Sequence, residues 1–68
     1  MRTKLKVFRI KQKLTQEQIA EKIGYGRMSY AAVENGNRNP SKNFCIAFAE
    51  AFGLTLSKVS ELMIIDED

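Results

Sequence analysis

The sequence predicts an all-α domain of five short helices, and three observations support this prediction. Apolar side chains recur at helical spacing in several short segments. Ser or Thr precedes three of these segments, where it can cap a helix, and Gly follows two of them. No segment is convincing as a strand, although Met63-Ile64-Ile65 is one short run that is also compatible with extended backbone.

The first helix is predicted over residues 3–13. Leu5 and Phe8 are three residues apart and can face one core, whereas Val7 and Ile10 lie off that stripe and are expected to be partly exposed. The remaining surface is expected to carry the solvated lysines of the segment, which are Lys4, Lys6, Lys11 and Lys13.

The second helix is predicted to begin at a capping box and to end at a glycine. The Thr15 hydroxyl and the Gln18 side chain can each bond the backbone of the other residue. Gly24 supplies a left-handed stop after Ile23. Ala20 and Gly24, four residues apart, are expected to provide the small side chains that a close helix crossing needs.

The third helix follows a three-residue turn at 24–26 and is predicted over residues 27–34. Tyr30 and Val33 are its expected core positions. Asn35-Gly36 ends it, and a polar loop leads to Pro40, which cannot continue a helix.

The fourth and fifth helices are predicted over residues 42–52 and 56–63. Ser41 is the expected cap of helix 4, and Gly53 closes it. Thr55 or Ser57 is the expected cap of helix 5. The single cysteine, Cys45, lies in the apolar helix 4 and is expected to be an inert core residue.

The charge of the chain is distributed unevenly. Residues 1–60 carry 11 basic and 4 acidic side chains, whereas residues 61–68 carry four acidic side chains and no basic one. A basic body favours a polyanionic partner, although lysine-rich ends also keep a small domain soluble. The chain has no His, and Cys45 has no base near it in the sequence, so the sequence indicates no enzyme, metal site or cofactor.

Length and cysteine usage set the expected organisation and location. We expect one domain over residues 1–65, followed by an acidic tail, 66–68, that frays. A small chain without a disulfide framework is expected to be cytoplasmic. No apolar run reaches the roughly 18 residues that a membrane span needs, so no membrane partner is expected. No small-molecule ligand is evident either.

The layout of helices 2 and 3 is that of a helix-turn-helix DNA-binding motif. Two short helices are joined by a three-residue turn that contains glycine. In such motifs the second helix enters the major groove, and its amino-terminal residues meet base edges. Double-stranded DNA is therefore the expected partner.

The same residues resemble the phage-repressor/Cro-like family, also called the XRE family, over residues 4–62. The matching pieces follow in order: Leu14-Thr15-Gln16, Ile19-Ala20, Ile23-Gly24, Val33-Glu34-Asn35-Gly36, Arg38-Asn39-Pro40-Ser41, and Ala49 with Phe52-Gly53-Leu54. The resemblance implies a compact lambda-repressor-like fold. It also implies a sequence-specific transcriptional regulator, expected to be a repressor that binds a palindromic operator as a homodimer.

The resemblance also implies roles for individual residues. Arg27 and Met28 match base-contacting positions at the start of the recognition helix, and Ala31 and Ala32 match later groove-facing positions. The alternative for Arg27 is a phosphate contact or a solvated side chain, and for Met28 a surface or staple residue. The expected phosphate-contacting set is Gln16, Tyr25, Ser29, Asn35, Arg38 and Lys42.

Arg9 and Glu34 match an ion pair that ties helix 1 to the end of helix 3 in relatives, with a phosphate contact as the alternative for Arg9. Four residues depart from the family pattern, among them Lys42, which stands where a leucine is common. Gly26 stands where Ser or Thr usually caps the recognition helix, and Tyr25 and Tyr30 replace aliphatic residues. Both tyrosines are expected in the core, with hydroxyls that reach the backbone.

The expected dimer surface is the carboxyl-terminal end of the chain. Its residues are Leu56, Val59, Met63, Ile64 and Ile65, with Phe44 and Ile46 as an alternative surface. Leu62 and Ile65 could instead cover the domain's own core. A different function stays open as well, namely a protein-interaction module such as an antitoxin, which the same apolar end would also serve.

Overall fold

A computed structural model describes residues 1–66 and shows five α-helices in that range. They are α1 (Thr3–Lys11), α2 (Gln16–Ile23), α3 (Arg27–Glu34), α4 (Lys42–Phe52) and α5 (Leu56–Leu62). The helix α2 packs mainly on α3 and α4, whereas α1 packs on α5 and α3. The all-α prediction is confirmed, and each helix lies within two residues of its predicted bounds.

The predicted caps explain why the helices begin where they do. The Thr15 hydroxyl accepts the Gln18 backbone N–H, and the Gln18 side chain accepts the Thr15 N–H, as the capping box requires. The Ser41 and Thr55 hydroxyls cap α4 and α5 in the same manner. The helix α1 ends two residues earlier than predicted, because Lys13 adopts a left-handed backbone with a φ of 59°.

Gly24 has a different role from the one that its spacing with Ala20 suggested. Ala20 is buried, but a Cβ placed on Gly24 would meet no atom within 4 Å. The helix crossing therefore needs a small residue at position 20 and not at position 24. Gly24 is required instead by its φ of +81°, which ends α2 and turns the chain toward α3.

The core is formed by all five helices. Phe8 of α1 packs edge-on against Phe52, with 5.1 Å between the ring centroids, and at 5.6 Å from Phe48. Phe44 lies between Phe48 and the two tyrosines and makes an edge contact with Tyr25 at 5.0 Å. The buried hydrophobic residues are Leu5, Ile19, Ala20, Ile23, Tyr30, Val33, Phe44, Phe48, Ala49, Val59, Leu62 and Met63.

This core corrects part of the predicted dimer surface. Val59 is fully buried and Met63 is 9% exposed, because α5 turns both side chains toward the other helices. Phe44, in the alternative surface, is buried by the two tyrosines. Leu56, Ile64 and Ile65 remain exposed.

The two ends of the described chain are joined by hydrogen bonds. The Asp66 N–H donates to the Met1 carbonyl at 3.0 Å, and the Asp66 carboxylate accepts from the backbone N–H and hydroxyl of Thr3. Asp66, which we expected to fray, therefore caps α1, which has no side-chain cap of its own. The rest of the predicted acidic tail, residues 67–68, lies outside the described residues.

Candidate nucleic-acid interface

The recognition-helix candidate, α3, has one buried side and one side open to solvent. Tyr30, Val33 and Glu34 are buried. The other side carries Arg27, Met28, Ala31, Ala32 and Asn35, which we call the reading face. At about 3.6 residues per turn these five positions fall on a single side of the helix.

The reading face is most open at the start of α3. The side chains of Arg27 and Met28 are exposed, and Met28 is 82% accessible. Ala31 and Ala32, one turn further along α3, are half-buried, and their small side chains project little from the helix surface. Gly26 precedes the helix with an extended backbone and makes no side-chain cap, so the first N–H groups of α3 are not covered by a neighbouring side chain.

A buried carboxylate fixes the angle between α1, α2 and α3. Glu34, which is 1% exposed, accepts from Arg9 Nε at 2.8 Å and from Gln16 Nε2 at 2.8 Å. The Tyr30 hydroxyl donates to the same carboxylate at 2.9 Å. The structure thus brings Arg9 and Glu34 together, and Tyr30 reaches this carboxylate and not the backbone that we expected.

The charged network shifts the pKa values of its members. Burial alone would raise the pKa of Glu34, but hydrogen bonds from Arg9, Gln16 and Tyr30 hold it below its ordinary value. The bond to Glu34 raises the pKa of Arg9, against the opposing effect of burial. Burial, followed by the bond to Glu34, raises the pKa of Tyr30. At neutral pH the network is therefore an ionised carboxylate held by an arginine and two neutral donors.

Gln16 is the first residue of α2, and its side chain contacts both the buried Glu34 carboxylate and the solvent. One amide hydrogen is directed to Glu34, while the side chain is only half-buried. An amide nitrogen carries two hydrogens, so the second can donate to a group outside the protein. The position next to the amino terminus of α2 also places it beside backbone N–H groups, which favour anions.

A cleft of about 140 Å³ separates the start of α3 from the start of α4. It is lined by Tyr25, Ser29, Val33, Arg38, Asn39, Pro40, Ser41 and Phe44. Three of the predicted phosphate-contacting residues, Tyr25, Ser29 and Arg38, therefore share one concave surface. Lys42 follows the Ser41 cap at the start of α4 and is exposed.

The loop between α3 and α4 is held close to α3. The backbone N–H groups of Asn37 and Arg38 both donate to the Ala32 carbonyl, at 2.9 and 3.2 Å. Gly36 makes this bend possible with a φ of +85°, and a Cβ on Gly36 would come within 3.1 Å of the Met1 nitrogen. The Arg38 side chain remains exposed beside the cleft.

Arg2, which the sequence analysis counted only among the basic side chains of residues 1–60, has a structural role. Arg2 is 2% exposed, and its guanidinium donates to the carbonyls of Val33 and Met63. A sequence signal existed, since α3 and α5 have no basic residue in their last turns. Such helix ends favour a cation supplied from elsewhere.

No candidate catalytic or metal-binding group is found in the part of the chain that the structure describes. No cluster of three or more His, Cys, Asp or Glu side chains there could hold a metal ion. Burial raises the pKa of the half-buried Cys45 thiol, which makes it less reactive. Over residues 1–66, no helix has both the length and the apolar composition to cross a membrane.

Comparison with known proteins gives one consistent result. A family model described as helix-turn-helix matches residues 5–59. An uncharacterised HTH-type transcriptional regulator of Methanocaldococcus jannaschii is 35% identical over 68 residues, which cover all of this chain and 98% of that protein. Similar regulators of Archaeoglobus fulgidus and Methanothermobacter thermautotrophicus are each 35% identical and are covered to 92% and 96%. No solved structure matches the chain.

Proposed function

Because the chain belongs to the helix-turn-helix family of transcriptional regulators, in its Cro/C1-type XRE branch, we propose that it represses transcription as a homodimer on a palindromic operator. The family is a non-enzymatic, DNA-binding one, so the chain is a DNA-binding regulator and not an enzyme. The observation that carries the finer proposal is the reading face, which is exposed at Arg27, Met28 and Asn35 and half-buried at Ala31 and Ala32.

In the proposed complex the reading face lies in the major groove. Arg27, exposed at the first position of α3, donates two hydrogen bonds to a guanine, a pairing worth about 1–3 kcal/mol of discrimination. Met28 contacts a neighbouring base. The methyl groups of Ala31 and Ala32 offer apolar contact to thymine methyls and no hydrogen bond. Base discrimination then rests on few side chains, with Arg27 foremost.

Contacts to the DNA backbone set the orientation of the reading face. Gln16 donates its second amide hydrogen to one phosphate, next to the amino terminus of α2. The cleft with Tyr25, Ser29 and Arg38 accommodates the backbone on the other side of α3. Asn35 and Lys42, both exposed, extend this contact along the strand.

Dimerisation uses the apolar residues that the fold leaves exposed at the carboxyl-terminal end. Leu56, Ile64 and Ile65 are 53%, 52% and 44% exposed. A two-fold axis at this end would make the contact self-complementary. Two copies of α3 would then reach half-sites one helical turn apart, about 34 Å.

Repression follows if the bound dimer occludes RNA polymerase at a promoter that overlaps the operator. The protein would act in the cytoplasm, associated with the nucleoid. Since the basic body of residues 1–60 attracts DNA of any sequence, binding is expected to weaken steeply as salt rises.

Selection from a randomised pool of DNA duplexes at near-physiological salt tests this proposal. The expected result is an enriched inverted repeat with half-site centres about 10 bp apart. Transcription in vitro from a promoter that contains this repeat should then fall as protein is added. Enrichment of a single half-site would contradict the dimer, and unselective binding alone would favour the protein-interaction module.

A further inference from the structure

Arg2 is a buried cation that has no acidic partner among residues 1–66. Its Nε donates to the Met63 carbonyl at 2.7 Å, and Nη1 donates to the Val33 carbonyl at 2.6 Å. The same guanidinium reaches the α3–α4 loop, donating to the Arg38 carbonyl at 3.1 Å and to Asn39 Oδ1 at 3.2 Å. Four neutral oxygens from three separate segments therefore surround one planar cation.

These acceptors explain why the arginine can be buried with no carboxylate partner in the part of the chain that the structure describes. Val33 lies in the last turn of α3 and Met63 is the carboxyl-terminal cap residue of α5, where carbonyl oxygens are left without the regular i+4 backbone donor. The Val33 carbonyl also accepts from the Gly36 N–H at 3.1 Å. The negative ends of two helix dipoles thus converge on Arg2. Guanidinium presents its donors in a rigid fork, so it can satisfy several carbonyls at once, which a lysine ammonium does less well.

The bonds to the loop have a consequence beyond stability. The backbone of Arg38 is held from the helix side by the Ala32 carbonyl and from the core side by Arg2. Because these two hydrogen bonds hold the backbone of Arg38 in place, they restrict the directions that its exposed side chain can take. Arg38 lines the cleft with Ser29, on the surface proposed to meet the DNA backbone, and its side chain is exposed.

We propose that Arg2 is a positioning residue for DNA-backbone binding, acting through Arg38. This inference rests on the proposed function. Arg2 itself is buried and touches no DNA; its guanidinium fixes the loop, and the loop presents Arg38 to a phosphate. A residue that only stabilised the fold would leave the contribution of Arg38 to binding unchanged in the folded protein.

A double-mutant cycle between Arg2→Lys and Arg38→Ala tests the proposal. Arg2→Lys keeps the charge, so a change in DNA binding cannot come from net charge. Affinity for a labelled random-sequence duplex is measured by fluorescence anisotropy at several salt concentrations, under conditions in which circular dichroism shows every variant folded. In the wild-type background Arg38→Ala should lower the salt slope of binding by about one. In the Arg2→Lys background the same substitution should lower the salt slope by clearly less, so that the effects of the two substitutions are not additive.

Two further variants test whether a loss of stability alone could explain the result. Val59→Ala removes core volume in α5, away from the loop bonds, and in that background Arg38→Ala should keep its full effect. Asn39→Ala deletes one loop acceptor of Arg2 while leaving Val33 and Met63 in place, and it should weaken the contribution of Arg38 in part. Additive losses from Arg2→Lys and Arg38→Ala would overturn the role of Arg2 while leaving the proposed function standing. A wild-type protein that binds no DNA would overturn both.

Discussion

Gln16 Nε2 donates to the Glu34 carboxylate at 2.8 Å, which joins the first residue of α2 to the last residue of α3. The same carboxylate accepts from Arg9 of α1 and from Tyr30 of α3. A side chain proposed to bind phosphate is therefore part of the buried network that sets the angle of the helix-turn-helix unit. In the proposed complex, Gln16 therefore contributes both to phosphate binding and to the stability of the fold.

Gln16→Ala should weaken both DNA binding and the fold. Loss of a donor to a buried carboxylate is expected to lower the free energy of unfolding by about 1–2 kcal/mol, because a hydrogen bond to a charged group is stronger than a neutral one. The salt slope of DNA binding is expected to change little, since Gln16 carries no charge, while affinity falls. Urea unfolding and fluorescence anisotropy measure the two effects. Gln12→Ala, at an exposed glutamine just after α1, is the control and should change neither.

Arg9→Ala should be among the most destabilising substitutions in the chain. It leaves the Glu34 carboxylate buried without its cation, and breaking a buried pair in this way costs about 3–5 kcal/mol. A domain of this size has a total stability of roughly 3–10 kcal/mol, so much of the variant should be unfolded. Adding Glu34→Gln to Arg9→Ala should restore part of the lost stability in urea unfolding, because the neutral amide needs no cation and its oxygen can still accept from Tyr30. A single variant as stable as wild type would show that the pair contributes little.

The pH dependence of the free energy of unfolding should reflect the titration of the Glu34 carboxylate. Its pKa in the folded protein lies below its ordinary value of 4.5, because the hydrogen bonds from Arg9, Gln16 and Tyr30 outweigh the effect of burial. The folded state therefore gains stability from this group above about pH 4.5 and loses it as the pH falls through the lower folded value.

Unfolding free energies of the wild type and Glu34→Gln, measured from pH 7 to pH 3, isolate this contribution from that of the other acids. The difference between the two proteins should be constant down to about pH 4.5 and should shrink below it. Two curves that run parallel over the whole range would mean that Glu34 does not titrate in the expected window.

The proposed dimer surface predicts a concentration-dependent dissociation. Burying the exposed half of each isoleucine contributes about 1 kcal/mol. A two-fold contact buries both isoleucines of each subunit, so replacing Ile64 and Ile65 together by Ser should raise the dimer dissociation constant by about 100-fold or more. Sedimentation equilibrium over a range of concentrations measures it.

Ile10→Ser is the matched control for this experiment. Ile10 is 54% exposed on α1, so its replacement removes about as much apolar surface as the loss of either Ile64 or Ile65 alone, away from the proposed interface. A wild type that sediments as a monomer throughout, or a double variant indistinguishable from the control, would reject this surface.

Most of the fold followed from local signals in the sequence. Thr15, Ser41 and Thr55 cap helices through contacts within four residues, and Gly24 and Gly53 end helices through their own backbone preference. Such signals do not depend on the tertiary arrangement, so the helix bounds could be predicted closely. The resemblance to a known family also indicated that Arg9 and Glu34 would meet, although 25 residues separate them.

The errors concern side chains whose environment depends on distant segments. Val59 and Met63 looked like surface residues of a short last helix, but the way α5 lies on α1 and α4 buries both. Arg2 is one of several basic side chains near the amino terminus, and three segments that are remote in the sequence supply its acceptors. Periodicity within one helix cannot reveal such partners.

The identity of the bases that α3 contacts decides whether α3 is the recognition helix. Selection from a randomised duplex pool is carried out in parallel with wild type, Arg27→Ala and the exposed α5 variant Lys58→Ala. We predict that wild type and Lys58→Ala enrich the same inverted repeat, and that Arg27→Ala loses about 1–3 kcal/mol of discrimination at one guanine in each half-site. If Arg27→Ala enriches the same repeat and requires that guanine as strongly as wild type does, Arg27 of α3 does not read the guanine, and the assignment of α3 as the recognition helix is contradicted.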